Sequence, residues 1–416
     1  MILYSADGYS IFLRQLFFQG CAMSNNDILF CRKAVVNRAS DTIAYYILHP
    51  KSATDAHDSS FLSALFVDVN ITEITQQKTI YIKTSLDELQ ALPLQNNIHA
   101  VFFLDATELN EVSLDILSDL RLQGHVLGIS NPQTSDFSAE FLSIFAHVHF
   151  SLDRMSVDEV LSNATESFLA LKTVWINKVE TAEQYALLLE KLPLGQFSGN
   201  FIHKMTSVKG KRILAYQAIL IDLLAELNKQ ETSPKKLAEC IERDPTLTYR
   251  IIKLTHSAMY RSQFNVSNAQ RAIEIIGIRD LIKWVSLVML GSVAGKPACI
   301  FSMALSRACF CHNLSGLLFP KLEGAFLVGL FSYLPSFLDE ELEVLLKDLP
   351  LEENIKIALL ESKGNLGSVL KIVKAYEAGQ WLKIPFNRLV NKEITQESLR
   401  ELYVKSLKDA REMGAF

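Results

Sequence analysis

The sequence predicts an α/β domain followed by an all-α domain. Between residues 28 and about 204, short runs rich in Val, Ile, Phe and Tyr alternate with stretches of helical period. This alternation is typical of a mainly parallel sheet covered by helices. Beyond about residue 208, helix start and stop signals replace the β-type runs. With 416 residues, of which 49% are hydrophobic and 21% charged, the chain is long enough for two hydrophobic cores.

The predicted strands of the first half are enriched in β-branched and aromatic residues. They are Ile28–Val36, Thr42–Leu48, Lys78–Thr84, Ile98–Leu104, His125–Ile129, His147–Ser151 and Lys172–Asn177. Helices are predicted between them, among them Glu111–Leu122, which Gly124 is expected to end, and Ala182–Leu192. Six or more βα units favour a TIM-like barrel, and a doubly wound open sheet is the alternative.

Proline-containing start signals predict helices in the second half. Ser233-Pro234 and Asp244-Pro245 each combine an N-cap residue with proline at the first helical position. Gly277 is predicted to end a further helix. The apolar faces of the last two helices are Leu247, Ile251, Leu254 and Ala258, and Ala269, Ala272, Ile273 and Ile276. The charged segment 392–412 has helical character, and we expect it to present a solvated face, with a docking segment as the alternative.

Charge and cysteine content restrict the class of protein. The net charge is −5; residues 1–205 carry 13 basic and 23 acidic side chains, net −10, and residues 206–416 carry 28 and 23, net +5. Neither half interleaves basic and aromatic residues, so we predict no nucleic-acid partner.

The six cysteines are few and irregularly spaced, which indicates a reducing compartment and predicts a cytoplasmic protein. Cys309 and Cys311 are predicted to be buried, inert thiols.

Composition divides the chain into four predicted segments. They are an N-terminal extension at 1–27, the barrel domain at 28–205, the helical domain at 206–390 and a charged helical tail at 391–416. The extension has Asp7 where a secretory signal has a basic cluster, so it is a poor signal peptide, and Met23 is an alternative start to Met1. Stretches without formal charge are too short for a membrane span.

Motifs of the first half follow one another in a recognisable order. They are CRKAVVNRASDTIAYYILHP at 31–50, IYIKTS at 80–85, VFFLDATE at 101–108, LRLQGHVLGISNP at 120–132, NKVETAEQY at 177–185 and GQFSGNFIHKM at 195–205. In pattern and order they resemble the EAL family of cyclic-di-GMP phosphodiesterases, in the branch fused to a C-terminal HDOD domain. The resemblance implies a modified TIM barrel followed by an all-helical domain.

The resemblance also implies where a catalytic site would lie. EAL enzymes hold two divalent metals at the carboxyl ends of the barrel strands, and in this chain only Glu180 retains the family's residue. The other positions carry Tyr46 and Asn177 for glutamates, Lys83 for asparagine, Leu104 for an acidic residue, Ser130 and Asn131 for paired aspartates, His149 for lysine and Ser198 for glutamine. Asp105, next to Leu104, is expected to point to the opposite face of its strand. The loss of so many carboxylates implies that no metal pair binds.

The HDOD resemblance is carried by IERDPTLTYRIIKLTHSAMY at 241–260 and AIEIIGIRDL at 272–281. Its signature positions here are Asp244, Pro245, Leu247, His256, Ser257, Tyr260 and Gly277, which we expect to fix the helical scaffold. HD hydrolases bind metal through a His-Asp pair. At the position that resembles that pair, this chain reads Ser332-Tyr333. The resemblance therefore implies a helical domain without the metal site of the hydrolase.

Together these observations predict a non-catalytic signalling protein, without cofactor or metal, in or near cyclic-di-GMP signalling. It is expected to act as an adaptor through a protein partner of unknown identity, and self-association is left open. Two alternatives remain. In the first, the barrel binds cyclic-di-GMP without metals and uses Lys83 to bind phosphate. In the second, it keeps a residual phosphodiesterase activity that depends on Glu180.

Overall fold

The structure is a computed structural model of the chain. It describes residues 29–50, 60–67, 69, 71–92, 99–110, 113–133, 137–164, 173–192, 195–204, 223, 226, 232–243, 245–255, 268–278, 280–281, 283–285, 297–338, 340–347 and 351–413. The prediction of an N-terminal extension at 1–27, and those for Asp244, His256, Ser257, Tyr260 and Ala258, lie outside the described residues.

Eight strands within the described residues close into a barrel. They are β1 Cys31–Val36, β2 Thr42–Leu48, β3 Thr79–Lys83, β4 Ala100–Asp105, β5 Val126–Ser130, β6 His147–Ser151, β7 Thr173–Asn177 and β8 Gly195–Phe197. β1 is antiparallel to both of its neighbours, β2 and β8, whereas β2 to β8 are parallel to one another. Closure through Val36 and Phe197 confirms the predicted barrel and excludes the open sheet. β8 was not among the predicted strands.

Side chains along each strand alternate between the barrel interior and the layer of helices outside. The interior is filled by aromatic rings: Trp175 lies 4.9 Å from Tyr46, 5.1 Å from Tyr81 and 5.1 Å from Phe103, measured between ring centroids. Outward-facing residues of the same strands, such as Phe102, join the larger core beneath the helices. The barrel is therefore a packed core, as in other parallel barrels.

Helices surround the barrel. Within the described residues they are α1 Ser60–Val67, α2 Ile71–Ile74, α3 Leu86–Gln90, α4 Leu114–Leu122, α5 Ala139–Ser143, α6 Val157–Ala164 and α7 Ala182–Lys191, with 3₁₀ turns at Ala106–Glu108 and Asn200–Lys204. Thr181 and Gln184 form a capping box that starts α7, since each side chain accepts a hydrogen bond from the other's backbone N–H. This pairing confirms the predicted start of that helix.

The second half is helical throughout its described part. Its helices are α8 Pro234–Ile241, α9 Pro245–Thr255, α10 Ala269–Ile276, α11 Ala298–Leu318, α12 Ala325–Phe331, α13 Leu334–Leu338, α14 Leu342–Lys347, α15 Glu353–Leu360, α16 Gly364–Glu377, α17 Phe386–Leu389 and α18 Gln396–Glu412, with 3₁₀ turns at Trp381–Lys383 and Val390–Lys392. Ser233 caps α8 and Gly277, at φ 80°, ends α10, as predicted. A Cβ on Gly329 would lie 2.7 Å from the Cα of Ala308, so glycine allows α12 to approach α11 closely. No helix in the described ranges combines the length and apolar character needed to cross a bilayer.

The C-terminal helix adds a packed face to the expected solvated one. α18 buries Leu399, Tyr403, Leu407 and Ala410 and packs along α11. These four residues recur at helical spacing, so the helix is amphipathic and only its charged face is exposed.

Two hydrogen bonds join the helical half to the start of β1. The backbone N–H of Arg32 donates to the phenol oxygen of Tyr403 at 3.1 Å, and the Cys31 thiol donates to the carbonyl of Glu377 at 3.5 Å. Cys31 is the register partner of Leu48, the last residue of β2. The helical domain thus contacts the barrel at the end where the parallel strands terminate.

Candidate functional site

The carboxyl ends of β2 to β8, together with the start of β1, form one end of the barrel, here called the mouth. In parallel barrels this end carries the functional loops. Register pairs connect its interior residues: Lys33 with Tyr46, Asp105 with Ser130, Ser130 with His149, and Ser151 with Asn177. The mouth residues are Lys33, Tyr46, Lys83, Asp105, Ser130, His149, Ser151, Asn177 and Ser198.

Leu104, one of the predicted site residues, does not face the barrel interior, and its neighbour Asp105 does. Leu104 packs in the outer core between barrel and helices, because Phe103 faces the interior and successive side chains alternate. Asp105 therefore has the interior orientation at the mouth. The expectation that Leu104 occupies the acidic position is wrong by one residue, and β4 keeps a carboxylate there.

An ion pair and two hydrogen bonds hold the carboxylate of Asp105. Arg154 Nη1 lies 2.7 Å from Oδ2, and the hydroxyl and backbone N–H of Thr107 donate to Oδ1 at 2.8 and 3.2 Å. Burial raises the pKa of Asp105, but the hydrogen bonds from Thr107 and the charge of Arg154 outweigh it and lower the pKa overall. Asp105 is ionised and already neutralised by the chain's own cation.

Tyr46 is a buried phenol rather than a ligand. Its ring packs on Trp175, and burial raises its pKa above the ordinary tyrosine value, so it stays protonated at neutral pH. A protonated phenol is a poor ligand for divalent cations, which prefer carboxylate oxygens.

Asn177 and Ser198 belong to a buried hydrogen-bond chain. Trp175 Nε1 donates to Ser198 Oγ at 2.8 Å, and that hydroxyl donates to Asn177 Oδ1 at 3.0 Å. The backbone N–H of Lys178 donates to the same Asn177 oxygen at 2.7 Å. Asn177 Oδ1 thus already accepts two hydrogen bonds from the chain itself. Nearby, Glu180 accepts a 2.6 Å hydrogen bond from Asn200.

The adjoining strands β5 and β6 contribute neutral groups. Asn131, at φ 51°, accepts a 2.9 Å hydrogen bond from the backbone N–H of Ser151. Neither ring nitrogen of His149, nor the hydroxyl of Ser130, has a hydrogen-bond partner within the described ranges. Burial, followed by the charges of Lys83 and Arg154, keeps the pKa of His149 well below the usual histidine value, so its imidazole is neutral.

Lysines bring positive charge to the mouth. Lys83 ends β3 with the interior orientation that Tyr81 sets. Lys33, which sequence reasoning missed, is the register partner of Tyr46 on β1. Burial lowers the pKa of Lys33, and Lys178 lowers it further, against the opposing effects of Cys31 and Glu180. The signal that would have found Lys33 is its alternation with Val35, an interior residue of the same strand.

The mouth residues do not fit a pair of divalent metals. Of the groups that meet there, Asp105 is paired with Arg154, Tyr46 is protonated, and the oxygen of Asn177 already accepts two hydrogen bonds. Lys83 adds a fixed cation. In the part of the chain that the structure describes, no three His, Cys, Asp or Glu side chains group as a metal site. The donor set is chemically unsuited to a two-metal centre.

The described signature residues of the helical half serve its packing. Pro245 begins α9, Leu247 is fully buried, and Gly277 ends α10. At the position of Ser332-Tyr333, the guanidinium of Arg307 donates to Ser332 Oγ at 3.0 Å and lies 4.1 Å from the centre of the Tyr333 ring. A fixed cation of the chain itself therefore lies at this position.

Residues 214–337 match the family profile of the HDOD domain. The chain carries an HDOD domain. It is 22% identical over 408 residues to the uncharacterized protein YuxH of Bacillus subtilis, and the aligned region covers 91% of this chain and 97% of YuxH. It is 24% identical over 292 residues to the cyclic di-GMP phosphodiesterase CdgJ of Vibrio cholerae, covering 68% of this chain and 66% of CdgJ, just under two thirds of that relative.

Among solved structures, the chain is similar to BlrP1 of Klebsiella pneumoniae in its calcium and cyclic-di-GMP complex, with 15% identity, a TM-score of 0.33, and coverage of 44% of this chain and 57% of that one. It is also similar to the YkuI protein of Bacillus subtilis, which has an EAL domain, with 12% identity, a TM-score of 0.34, and coverage of 63% and 74%. The EAL domain of FimX from Pseudomonas aeruginosa matches with 15% identity, a TM-score of 0.30, and coverage of 46% and 94%.

Proposed function

We propose that this chain is a non-catalytic adaptor in cyclic-di-GMP signalling, acting through protein contacts of its barrel and its HDOD domain. The link to that signalling rests on the resemblance of its motifs and on its similarity to CdgJ. The adaptor role rests on the chemistry of the mouth. There, Lys83 and the protonated phenol of Tyr46 occupy positions that, by the resemblance, carry an asparagine and a glutamate ligand in a hydrolase.

The way the two halves contact each other supports the same proposal. The helical half is hydrogen-bonded to Cys31 and Arg32, and Lys33 follows them on the same strand and faces the mouth. The residues that contact the helical domain and the residue that faces the mouth are therefore neighbours on β1. Through this strand, binding of a protein partner to the helical domain can affect the conformation of the mouth, and a change at the mouth can affect partner binding.

Hydrolysis is tested by incubating the purified full chain with cyclic-di-GMP and either Mg²⁺ or Mn²⁺, followed by chromatography of the nucleotides. We expect no conversion. Metal-dependent loss of the dinucleotide that Glu180→Ala abolishes would contradict the proposal. Adaptor function further predicts that binding of a purified protein partner is unaffected by Glu180→Ala and by chelators.

A second candidate function is metal-independent binding of cyclic-di-GMP. It is favoured by the interior positions of Lys33 and Lys83, two cations that can each meet a phosphate. Calorimetry in the presence of EDTA tests it: binding heat that is lost in Lys83→Met and retained in the matched variant Lys191→Met supports it. Lys191 is a suitable control because its side chain is 52% exposed on α7. No heat with the wild-type chain refutes this candidate.

A further inference from the structure

The segment 381–392, between α16 and α18, exposes basic and apolar side chains together. Its exposed cationic and apolar residues, here called the basic surface, are Leu382, Lys383, Arg388, Val390 and Lys392. The segment contains no Asp or Glu. None of its three cationic side chains forms a hydrogen bond or an ion pair with a residue that the structure describes. Leu382 is 82% exposed and Val390 is 49% exposed, so apolar area accompanies the charge.

Buried neighbours fix the shape of the basic surface. Ile384 and Leu389 are 5% and 4% exposed, and the Trp381 ring packs edge-on against Tyr376 with 5.0 Å between the ring centroids. Leu382 therefore stays exposed in a segment whose other apolar residues are packed. A surface that is held in one shape before binding loses little conformational entropy when a partner covers it.

A second surface, of opposite charge, lies on α14 and at the start of α15. Its exposed acidic residues, here called the acidic surface, are Glu340, Glu341, Glu343, Glu352 and Glu353. None of these carboxylates forms an ion pair with a described residue. α14 and α15 contact each other, which brings the two sets of glutamates into the same part of the helical half. Val344 is 44% exposed among them, and Lys347 at the end of α14 is an opposing charge.

The two surfaces have opposite charges but are not joined within one chain. No ion pair or hydrogen bond connects them among the described residues. Like charges that lie close together repel one another, and an oppositely charged surface of another molecule relieves this repulsion and steers the encounter. Each surface also offers exposed apolar side chains, Leu382 on one and Val344 on the other, that two associating chains can bury.

We infer that the basic surface of one chain binds the acidic surface of a second copy of the same chain. A second copy is the occupant that accounts for both unpaired surfaces at once. Each surface has far fewer residues than the roughly 20–30 per side of a standard interface, so the association is weak and sensitive to salt. This inference does not rest on the adaptor proposal, and either can fail without the other.

Sedimentation velocity of the full chain in an analytical ultracentrifuge tests the association. At about 50 mM NaCl, the weight-average sedimentation coefficient should rise with protein concentration between about 10 and 500 µM, as for a dissociation constant on the order of 100 µM. At about 500 mM NaCl it should fall to the value of the monomer, because salt screens the charges. A chain that stays monomeric at low salt would overturn the inference and leave the basic surface to an acidic segment of another protein. Association that strengthens with salt would also overturn it.

Charge-reversed variants identify the two surfaces. One variant combines Lys383→Glu with Arg388→Glu, and the other combines Glu341→Lys with Glu343→Lys; all four side chains are exposed, so we expect both variants to fold. Each variant alone should remain monomeric. Each keeps one native surface, so an equimolar mixture should associate again. Association of either variant at the wild-type level, or a mixture that stays monomeric, refutes the assigned surfaces.

A matched control separates local charge from net charge. Lys235 and Lys236 are exposed on α8, outside both surfaces, and Lys235→Glu combined with Lys236→Glu changes the net charge as much as the reversal on the basic surface does. We expect this control to associate as the wild type does. Equal loss of association in the control would show that net charge governs the effect, and it would overturn the assignment.

Discussion

The ion pair between Arg307 and Glu377 links the HDOD helices to the helix that contacts the barrel. Arg307 Nε and Nη2 lie 2.7 and 2.6 Å from Glu377 Oε2, and the two side chains are only 14% and 19% exposed. The backbone carbonyl of Glu377 accepts the hydrogen bond from Cys31 of β1. Glu377→Gln keeps the shape of this residue and removes its charge, leaving Arg307 buried without a counter-ion.

The expected loss is large because the pair is buried. Breaking a buried pair by removing one partner costs about 3–5 kcal/mol, and the lower value applies here because the glutamine oxygen still accepts a hydrogen bond. For a domain of about 150–250 residues, 1 kcal/mol shifts the Tm by about 2–4 °C, so Glu377→Gln should lower the Tm of the helical half by about 6–12 °C.

Thermal unfolding followed by circular dichroism at 222 nm measures this shift. The control is Glu274→Gln, which neutralises the ion pair with Arg271 on α10, where the side chains are 36% and 56% exposed. Exposed pairs contribute about 0.2–1 kcal/mol, so the control should lower the Tm by no more than a few degrees. A Glu377→Gln shift no larger than the control's would refute the buried-pair argument.

Two further predictions concern the barrel and the thiols. His149 has a folded pKa below its unfolded value of about 6.5, so the unfolded chain protonates first and stability falls by up to about 1.4 kcal/mol per pH unit below that pH. Urea unfolding between pH 7 and 5 should show a shallower pH dependence in His149→Phe, and equal slopes contradict the assignment. Burial raises the pKa of Cys309 to about 12. In a Cys21→Ser chain, the half-buried Cys240 should therefore react with a thiol reagent before Cys309 and Cys311, and prompt reaction of either buried thiol in the folded chain contradicts this.

Much of the fold could be predicted because strand alternation and helix caps are local properties. The predicted strands agree with the observed ones to within three residues at their ends, and Ser233 and Gly277 act at the helix ends as expected. β8 was missed because it has only three residues and no β-branched side chain. The buried face of α18 was not predicted because the charge of the segment was weighed without the apolar stripe through Leu399 and Tyr403.

The strands that contribute to the mouth could be predicted from the sequence, but not in every case the residue of each strand that faces the interior. A motif match places residues only to within one position, and one position exchanges the interior Asp105 for the outward Leu104. Lys33 could have been found from its alternation with Val35 on the same strand, whereas the ion pair of Asp105 with Arg154 joins residues 49 positions apart.

We propose that the mouth has too few anionic oxygens to hold two divalent metals. Titration of the full chain with Mn²⁺, followed by electron paramagnetic resonance, tests it most directly, because bound and free Mn²⁺ give different signal intensities. We expect the ion to remain free at protein and metal concentrations up to about 1 mM. Two ions bound per chain at micromolar concentration, and released by Asp105→Ala or Glu180→Ala, would contradict it.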